Sequence, residues 1–257
     1  MRFQARAAES FELAAGVGAV APGRAWLPAS RCLIAADAHL AYEDVVGGAL
    51  PLWSTAETVA TIALVAERLQ AREIVFLGDI VHGSRMSEGA MRVVRDGLDV
   101  LRAKATVTLV AGNHEGRSRA FRVLGTTVED CEREGWLLVH GDKPAALGRR
   151  AIIGHVHPSL HLGGRASVPA FVACEALVVV PAMTPYSPGL DVLSPDFADA
   201  IGLWSVRRSD VHVVASTNDH VYPFGGLANL RDVLRTPLPR RHAAAAPRYR
   251  RRRLGPD

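Results

Sequence analysis

Residues 73–82 read EIVFLGDIVH. After Glu73 the run is apolar, too short for a helix, and stopped by Gly78. It reads as a buried β-strand, Glu73–Leu77, that delivers Asp79 and His82 to the loop at its carboxyl end. The same arrangement occurs four more times. RCLIAA (31–36) ends at Asp37-Ala38-His39. TVTLVA (106–111) ends at Gly112-Asn113-His114-Glu115. WLLV (136–139) ends at His140-Gly141-Asp142, and AII (151–153) ends at Gly154-His155-Val156-His157. Six of the ten histidines lie in these five strings, whereas packing or surface use alone would scatter them.

Helical patterns fill the gaps between the first three strands. Ser54-Thr55-Ala56-Glu57 has the form of a capping box. Val59, Ile62, Ala66 and Leu69 follow at helical spacing, which predicts a helix of about four turns. A second helix is predicted over Gly89–Ala103, with Met91, Val94, Leu98 and Leu101 on one face. Strand, helix, strand, helix, strand means βαβ units and a largely parallel core. Farther on, Phe171–Val180, Ile201–Val206 and Val211–Ala215 are strand-like, with few helical stretches between them. The expectation is an α/β protein, a two-sheet β-sandwich covered by helices. There is no internal repeat and no linker before about residue 235, so one domain is expected over 1–234, followed by a basic tail over 235–257.

The chain has 257 residues, 49% hydrophobic and 22% charged. This suffices for one large domain with a buried core. No apolar run reaches the roughly 18 residues of a membrane span. The first twenty residues contain Glu9 and Glu12 and lack an apolar signal region. Cys32, Cys131 and Cys174 are widely spaced, without zinc-ligand spacing, and read as reduced thiols. A cytoplasmic protein is expected. The net charge of +4 hides an asymmetry: residues 235–257 hold eight arginines and one aspartate, which leaves 22 Lys+Arg against 25 Asp+Glu in the body. The Pro-, Ala- and Arg-rich tail reads as disordered. Such a tail can neutralise nucleic-acid phosphates, or be a solvated terminus reflecting the Ala and Arg excess of the whole chain.

In open α/β sheets, ligands bind at the carboxyl ends of the strands. All five motifs fall there. Two divalent ions about 3.5–4 Å apart need a bridging carboxylate and separate oxygen and imidazole ligands. The chain offers Asp37, His39, Asp79, Asn113, His140, His155 and His157. Mixed oxygen and nitrogen donors without thiolate suit Mn²⁺, Fe or Zn²⁺ better than Ca²⁺ or a structural zinc. Asp37/His39 and His155/His157 are each two residues apart, which on an extended strand end places both side chains on one face. The glycines before Asp79, Asn113 and His155 allow a sharp turn. A metal pair lowers the pKa of a bridging water and clamps phosphate oxygens. A histidine that is not a ligand can then serve the leaving oxygen, and His114 is the candidate.

The ordered set of motifs resembles the calcineurin-like metallophosphoesterase superfamily over residues 31 to about 160. The resemblance implies a four-layer αββα fold. It implies one metal held by Asp37, His39, Asp79 and His157, and a second by Asp79, Asn113, His140 and His155. Asp79 bridges, and His114 is the catalytic histidine. The protein-phosphatase branch carries GDxxDRG at the second motif, where this chain has GDIVHGS (78–84) and so lacks that aspartate and arginine. A histidine at this place is similar to the DNA-repair nuclease branch, in which it contacts the scissile phosphate. That implies the same role for His82, the alternative being a supporting or surface residue. WLPASRCLIAADAHL (26–40) and GHVHPSLHLGGRASVPAFVACEALVVVPAM (154–183) are similar to the ligase-associated DNA-repair phosphoesterases and to the SbcCD and archaeal repair-nuclease-like branch. DNA-repair partners follow from that resemblance. Three positions depart from it: Ala38 and Ala41 stand where Leu and Gly are usual, and Glu115 stands where Asp is frequent. Residues 198–234 have no counterpart in it.

The expectation is a metal-dependent phosphoesterase, a phosphodiesterase acting on nucleic acid or nucleotides through a metal-bridging hydroxide, with two ions, Mn²⁺ before Fe or Zn²⁺. The rivals are a phosphomonoesterase or protein phosphatase, and a non-catalytic DNA-binding repair accessory protein. Arg117 and Arg119 read as phosphate contacts or solvated loop arginines. Asp142 reads as an orienting partner for a histidine or a turn aspartate. His161 reads as structural, and His212, His220 and His242 as surface or packing. Asp191, Asp196 and Asp199 read as turn and cap residues.

Overall fold

Three short antiparallel strands, β1 (Ser10–Ala14), β2 (Val17–Val20) and β3 (Arg24–Leu27), lead into β4 (Cys32–Ala36) in the computed structural model. The structure describes residues 7–47, 52–82, 86–113, 124–144, 148–162 and 167–230. A short helix α1 (Tyr42–Val46) and a long one, α2 (Trp53–Arg68), precede β5 (Glu73–Leu77). Helix α3 (Glu88–Arg102) then returns to β6 (Thr106–Val110). The six strands form one sheet in sequence order, and β4, β5 and β6 are parallel. This is the βαβ core expected from the spacing of the first three motifs.

Among the described residues the second sheet has nine strands. They are β7 (Asp130–Arg133), β8 (Trp136–Val139), β9 (Ala151–Ile153), β10 (Pro158–His161), β11 (Ser167–Ala173), β12 (Leu177–Val179), β13 (Leu190–Asp191), β14 (His212–Ser216) and β15 (Val221–Gly226). Strands β8, β9 and β12 run parallel. Helix α4 (Pro195–Gly202) interrupts the series before β14.

The alternation of side chains sorts the molecule into four layers. Ile74 and Phe76 of β5 join the cluster under α2 and α3, while Val75 and Leu77 join the cluster between the sheets. In β9, Ile152 faces the first sheet, and Ala151 and Ile153 join Phe197 and Ile201 of α4. Period-2 alternation along fully buried strands thus gives helix, sheet, sheet, helix, the αββα sandwich. The segment after β12 ties the sheets together, because Met183 N–H donates to the Ala36 carbonyl at 3.1 Å and Thr184 N–H to that of Asp37 at 3.3 Å.

Several expectations change. Ser54 does not cap α2. The helix begins at Trp53, and Ser54 Oγ instead bonds the Glu43 carboxylate, while Thr55 Oγ1 accepts from Ala41 N at 2.8 Å. Ile201–Val206 is not a strand. Ser194 accepts from Phe197 N at 3.1 Å and Pro195 sits in the first turn, so the segment begins as the end of α4. Phe171–Val180 is part of two antiparallel strands, β11 and β12. Residues 198–230 are an integral part of the second sheet, since β14 pairs with β11. The proposed boundary at 234 and the basic tail lie outside the described residues. Among the described residues no helix is long and apolar enough to cross a membrane.

Candidate metal centre

The loops after β4 and β5 are zipped together. His39 N–H donates to the Asp79 carbonyl at 2.9 Å, Leu40 N–H to Ile80 at 2.7 Å, and His82 N–H to Leu40 at 3.1 Å. The loops after β8 and β9 are joined likewise by Gly154 N–H donating to the His140 carbonyl at 2.9 Å. One pair of loops comes from each sheet, and the donors of all four loops meet. Asp37, His39 and His157 form one group able to hold a cation, and Asp79, His140 and His155 form another. Asp79 Oδ2 lies 3.9 Å from His39 Nε2 and 3.6 Å from His140 Nε2, so one carboxylate oxygen stands between the two groups. Asn113 joins the second group, with Oδ1 2.8 Å from His140 Nε2.

The backbone achieves this differently from an extended strand end. Asp37, His39, Asp79, His155 and His157 all have φ between 43° and 60°, a left-handed region that most residues avoid and that Asp and His tolerate better than most. Asp37 and His39 reach the same group, but His155 and His157 diverge to different ones. Of the three glycines, only Gly78 has positive φ, at 71°. Gly112 and Gly154 are needed for space. A Cβ on Gly112 would lie 2.2 Å from Asp79 Oδ1, and one on Gly154 would lie 2.6 Å from Asp37 Oδ2.

The imidazoles are oriented from behind. His140 Nδ1 faces the Leu77 carbonyl at 3.0 Å, which fixes the ring proton there and leaves Nε2 as a lone pair. His157 Nδ1 lies 3.0 Å from Ser187 Oγ, and its Nε2 lies 3.4 Å from Asp37 Oδ1. His39 Nδ1 lies 3.0 Å from His82 Nδ1. If His39 donates, its Nε2 carries the lone pair that a ligand needs, and His82 in its neutral form keeps a proton on Nε2. His155 N–H donates to Asp37 Oδ2 at 2.8 Å. From the protein groups alone, burial and the nearby His140 hold the His155 pKa below its ordinary value. Burial also pulls His157 down, but Asp37, with Asp79 beyond it, outweighs that and raises it.

These donors fit divalent cations. Asp37 Oδ1 is buried and makes no well-aligned hydrogen bond, its nearest donor atom being His157 Nε2 at 3.4 Å, a costly condition unless a cation completes it. The His140 Nε2 lone pair faces two further acceptors, Asn113 Oδ1 and Asp79 Oδ2. Electron-rich atoms converging in this way call for a positive charge among them. Among the described residues Asp142 makes no hydrogen bond to a histidine, and it lies 3.9 Å from Lys143 Nζ. His161 is exposed, and His212 packs edge-on to Phe11. Asp191 accepts from Leu193 N at 3.0 Å in a turn. His114, Glu115, Arg117, Arg119 and His242 lie outside the described residues. Ser187, set thirty residues from His157 in a Pro-rich loop, gave no signal in the sequence.

A calcineurin-like phosphoesterase family model matches residues 30–160, half of the chain, and these residues contain every one of the converging donors. The chain belongs to the calcineurin-like phosphoesterase family. It is accordingly a metal-dependent hydrolase of phosphoesters. Among solved structures the fold is similar to that of the Pseudomonas putida nuclease MPE, at 23% identity and TM-score 0.62, covering 86% of this chain and 100% of that one. YfcE, a phosphoesterase from E. coli, aligns at 17% identity and TM-score 0.36, over 74% of this chain and 90% of that one. No curated protein matches the sequence.

Proposed function

We propose that the protein is a binuclear phosphodiesterase acting on nucleic acid or nucleotides. Asp37, His39, Asp79 and His157 would hold one ion. Asp79, Asn113, His140 and His155 would hold the other. The observation that carries this is the position of Asp79 Oδ2 between the two donor groups. Divalent ions bound there acidify water and neutralise charge on the phosphate oxygens. The oxygen and nitrogen donors favour Mn²⁺, with Fe or Zn²⁺ compatible.

The chain's own residues supply the rest. The Leu77 carbonyl and Ser187 hold His140 and His157 in the ligating tautomer. His82 supports His39 through Nδ1, and its Nε2–H is a donor for a phosphate oxygen. His114, next to Asn113 in sequence, gives a proton to the leaving oxygen. The diester preference is supported by the histidine at position 82, where protein phosphatases of this family have an aspartate and an arginine follows in their signature. The fold shared with a protein described as a nuclease is in keeping with it. Comparing bis- with mono-p-nitrophenyl phosphate under Mn²⁺ tests the reading. Preferential diester turnover, abolished by Asp79→Asn, is expected; exclusive monoester turnover would overturn it.

A further inference from the structure

The ring pair His39–His82 does not end at the metal centre. The two centroids are 5.0 Å apart. Tyr42 lies against His82 at 4.5 Å, tilted by 48°. Tyr186 then stacks on Tyr42 at 4.3 Å and 11°. Four rings thus run in succession from a candidate metal ligand to the surface, where Tyr186 is 43% exposed. No other aromatic ring packs on Tyr186 among the described residues.

This outer ring is fixed on two sides. Its hydroxyl donates to Glu43 Oε1 at 2.9 Å. Glu43 is buried and also accepts from Ser54 N at 3.1 Å. The loop carrying Tyr186 is referenced to the centre as well, because Thr184 N–H donates to the Asp37 carbonyl and Ser187 Oγ meets His157 Nδ1. A stack serving only the core would be buried. Here a flat ring, held by its hydroxyl, is presented to solvent at a set offset from Asp37 and His157, two donors of one candidate cation site. That is what a nucleobase needs as a stacking surface, because each base has a π-face whatever its sequence.

We infer that Tyr186, backed by Tyr42, is a base-stacking platform for a nucleotide flanking the scissile phosphate, so that the preferred substrate is single-stranded or has a splayed end. The inference rests on the phosphodiesterase reading above and adds its substrate class. A paired, stacked base has no free face to offer, which is why duplex interior is excluded.

The test uses the full-length, Mn²⁺-loaded protein and two single-stranded oligonucleotides, one with all bases and one with abasic residues around the cleaved linkage. Tyr186→Ala should raise KM for the base-bearing strand by about tenfold or more, with a smaller change in kcat. Tyr186→Trp and Tyr186→Phe should restore it, because the ring and not the hydroxyl does the stacking. The abasic strand should show no such difference between the parent and Tyr186→Ala. Metal content and circular dichroism establish that each variant is folded and loaded. Equal effects on both strands, or none on either, would overturn the platform. If the parent hydrolyses bis-p-nitrophenyl phosphate but cleaves neither strand, the nucleic-acid reading falls and takes the platform with it.

Discussion

Gly112 shows how closely the centre is built at the scale of single atoms. Its φ is ordinary, so alanine is allowed by the backbone. The obstacle is space, since the added Cβ would lie 2.2 Å from both Asp79 N and Asp79 Oδ1. A backbone nitrogen cannot swing aside as a side chain can. Gly112→Ala should therefore weaken metal binding by about 10–100-fold, the usual range for residues that orient ligands. It should also cost about 1–3 kcal/mol of stability through overpacking. Calorimetric Mn²⁺ titration and thermal unfolding would read both, and parental affinity would refute the claim. The ligand histidines and His114 divide differently. His140→Ala should lower occupancy at one site, whereas His114→Ala should retain both ions and lose most turnover, about 10²–10⁴-fold for a general acid. Loss of metal in His114→Ala would show that its role is misassigned. At this scale the donor types and their spacing were legible, because metal chemistry restricts which residues can serve. The backbone that delivers them was not. Asp-x-His looks like a strand end with both side chains on one face. The chain instead uses left-handed residues, and this sends His155 and His157 to different donor groups.

At the scale of elements, Glu73 illustrates the converse, a residue far from the chemistry that joins the two sheets. It opens β5, and its carboxylate takes a two-pronged contact from Arg133 of β7, at 2.7 Å from both Nε and Nη2. Thr108 of β6 donates at 2.6 Å. Burial pushes the Glu73 pKa up, but the Arg133 and Thr108 hydrogen bonds outweigh it and set it below its ordinary 4.5. A depressed carboxyl stabilises the fold above its unfolded value and loses that contribution as pH falls through the lower, folded value. Arg133→Met should cost about 1–3 kcal/mol near neutrality. It should also flatten the loss of stability on acidification below pH 4.5. Urea melts of both proteins at neutral and acid pH would measure this, and parallel pH profiles would count against it. The strongly periodic elements, β4 to β6 with α2 and α3, were legible because each buries one clear face. Strands β1 to β3 are four or five residues each, and their Gly- and Ala-rich runs carry no alternation strong enough to mark them. The segment 201–206 misled because Ile, Leu, Trp and Val suggest a strand, while the decisive signal was Ser194-Pro195 upstream.

For the whole molecule, the centre belongs to neither sheet alone. Parallel strands bring three motif loops of the first sheet and two of the second to the same edge, and the 181–184 segment locks the edges together. Sequence order showed which strands carry ligands, but the facing of the sheets depends on contacts across about 150 residues, such as Met183 with Ala36. No local pattern contains that information. The same scale governs charge. The body carries a net −3 and residues 235–257 a net +7 by the count of charged residues. A negative body repels a polyanion on average, so under the proposed function capture of nucleic acid at a distance would fall to the arginines of the tail. Each arginine that neutralises a phosphate of single-stranded nucleic acid adds about 0.7 to the slope of log K against log salt. Replacing Arg250, Arg251, Arg252 and Arg253 together by serine should lower affinity for a single-stranded oligonucleotide at low salt and make that slope shallower by about 0.7 per contact removed. The four lie in one run, so the loss should be shared by all base sequences and should shrink as salt rises and screening takes over. Fluorescence anisotropy titrations from 50 to 200 mM salt, a range of the order over which such contacts are felt, would resolve it. An unchanged slope would assign capture to the body alone, leaving the arginines as solvated charge.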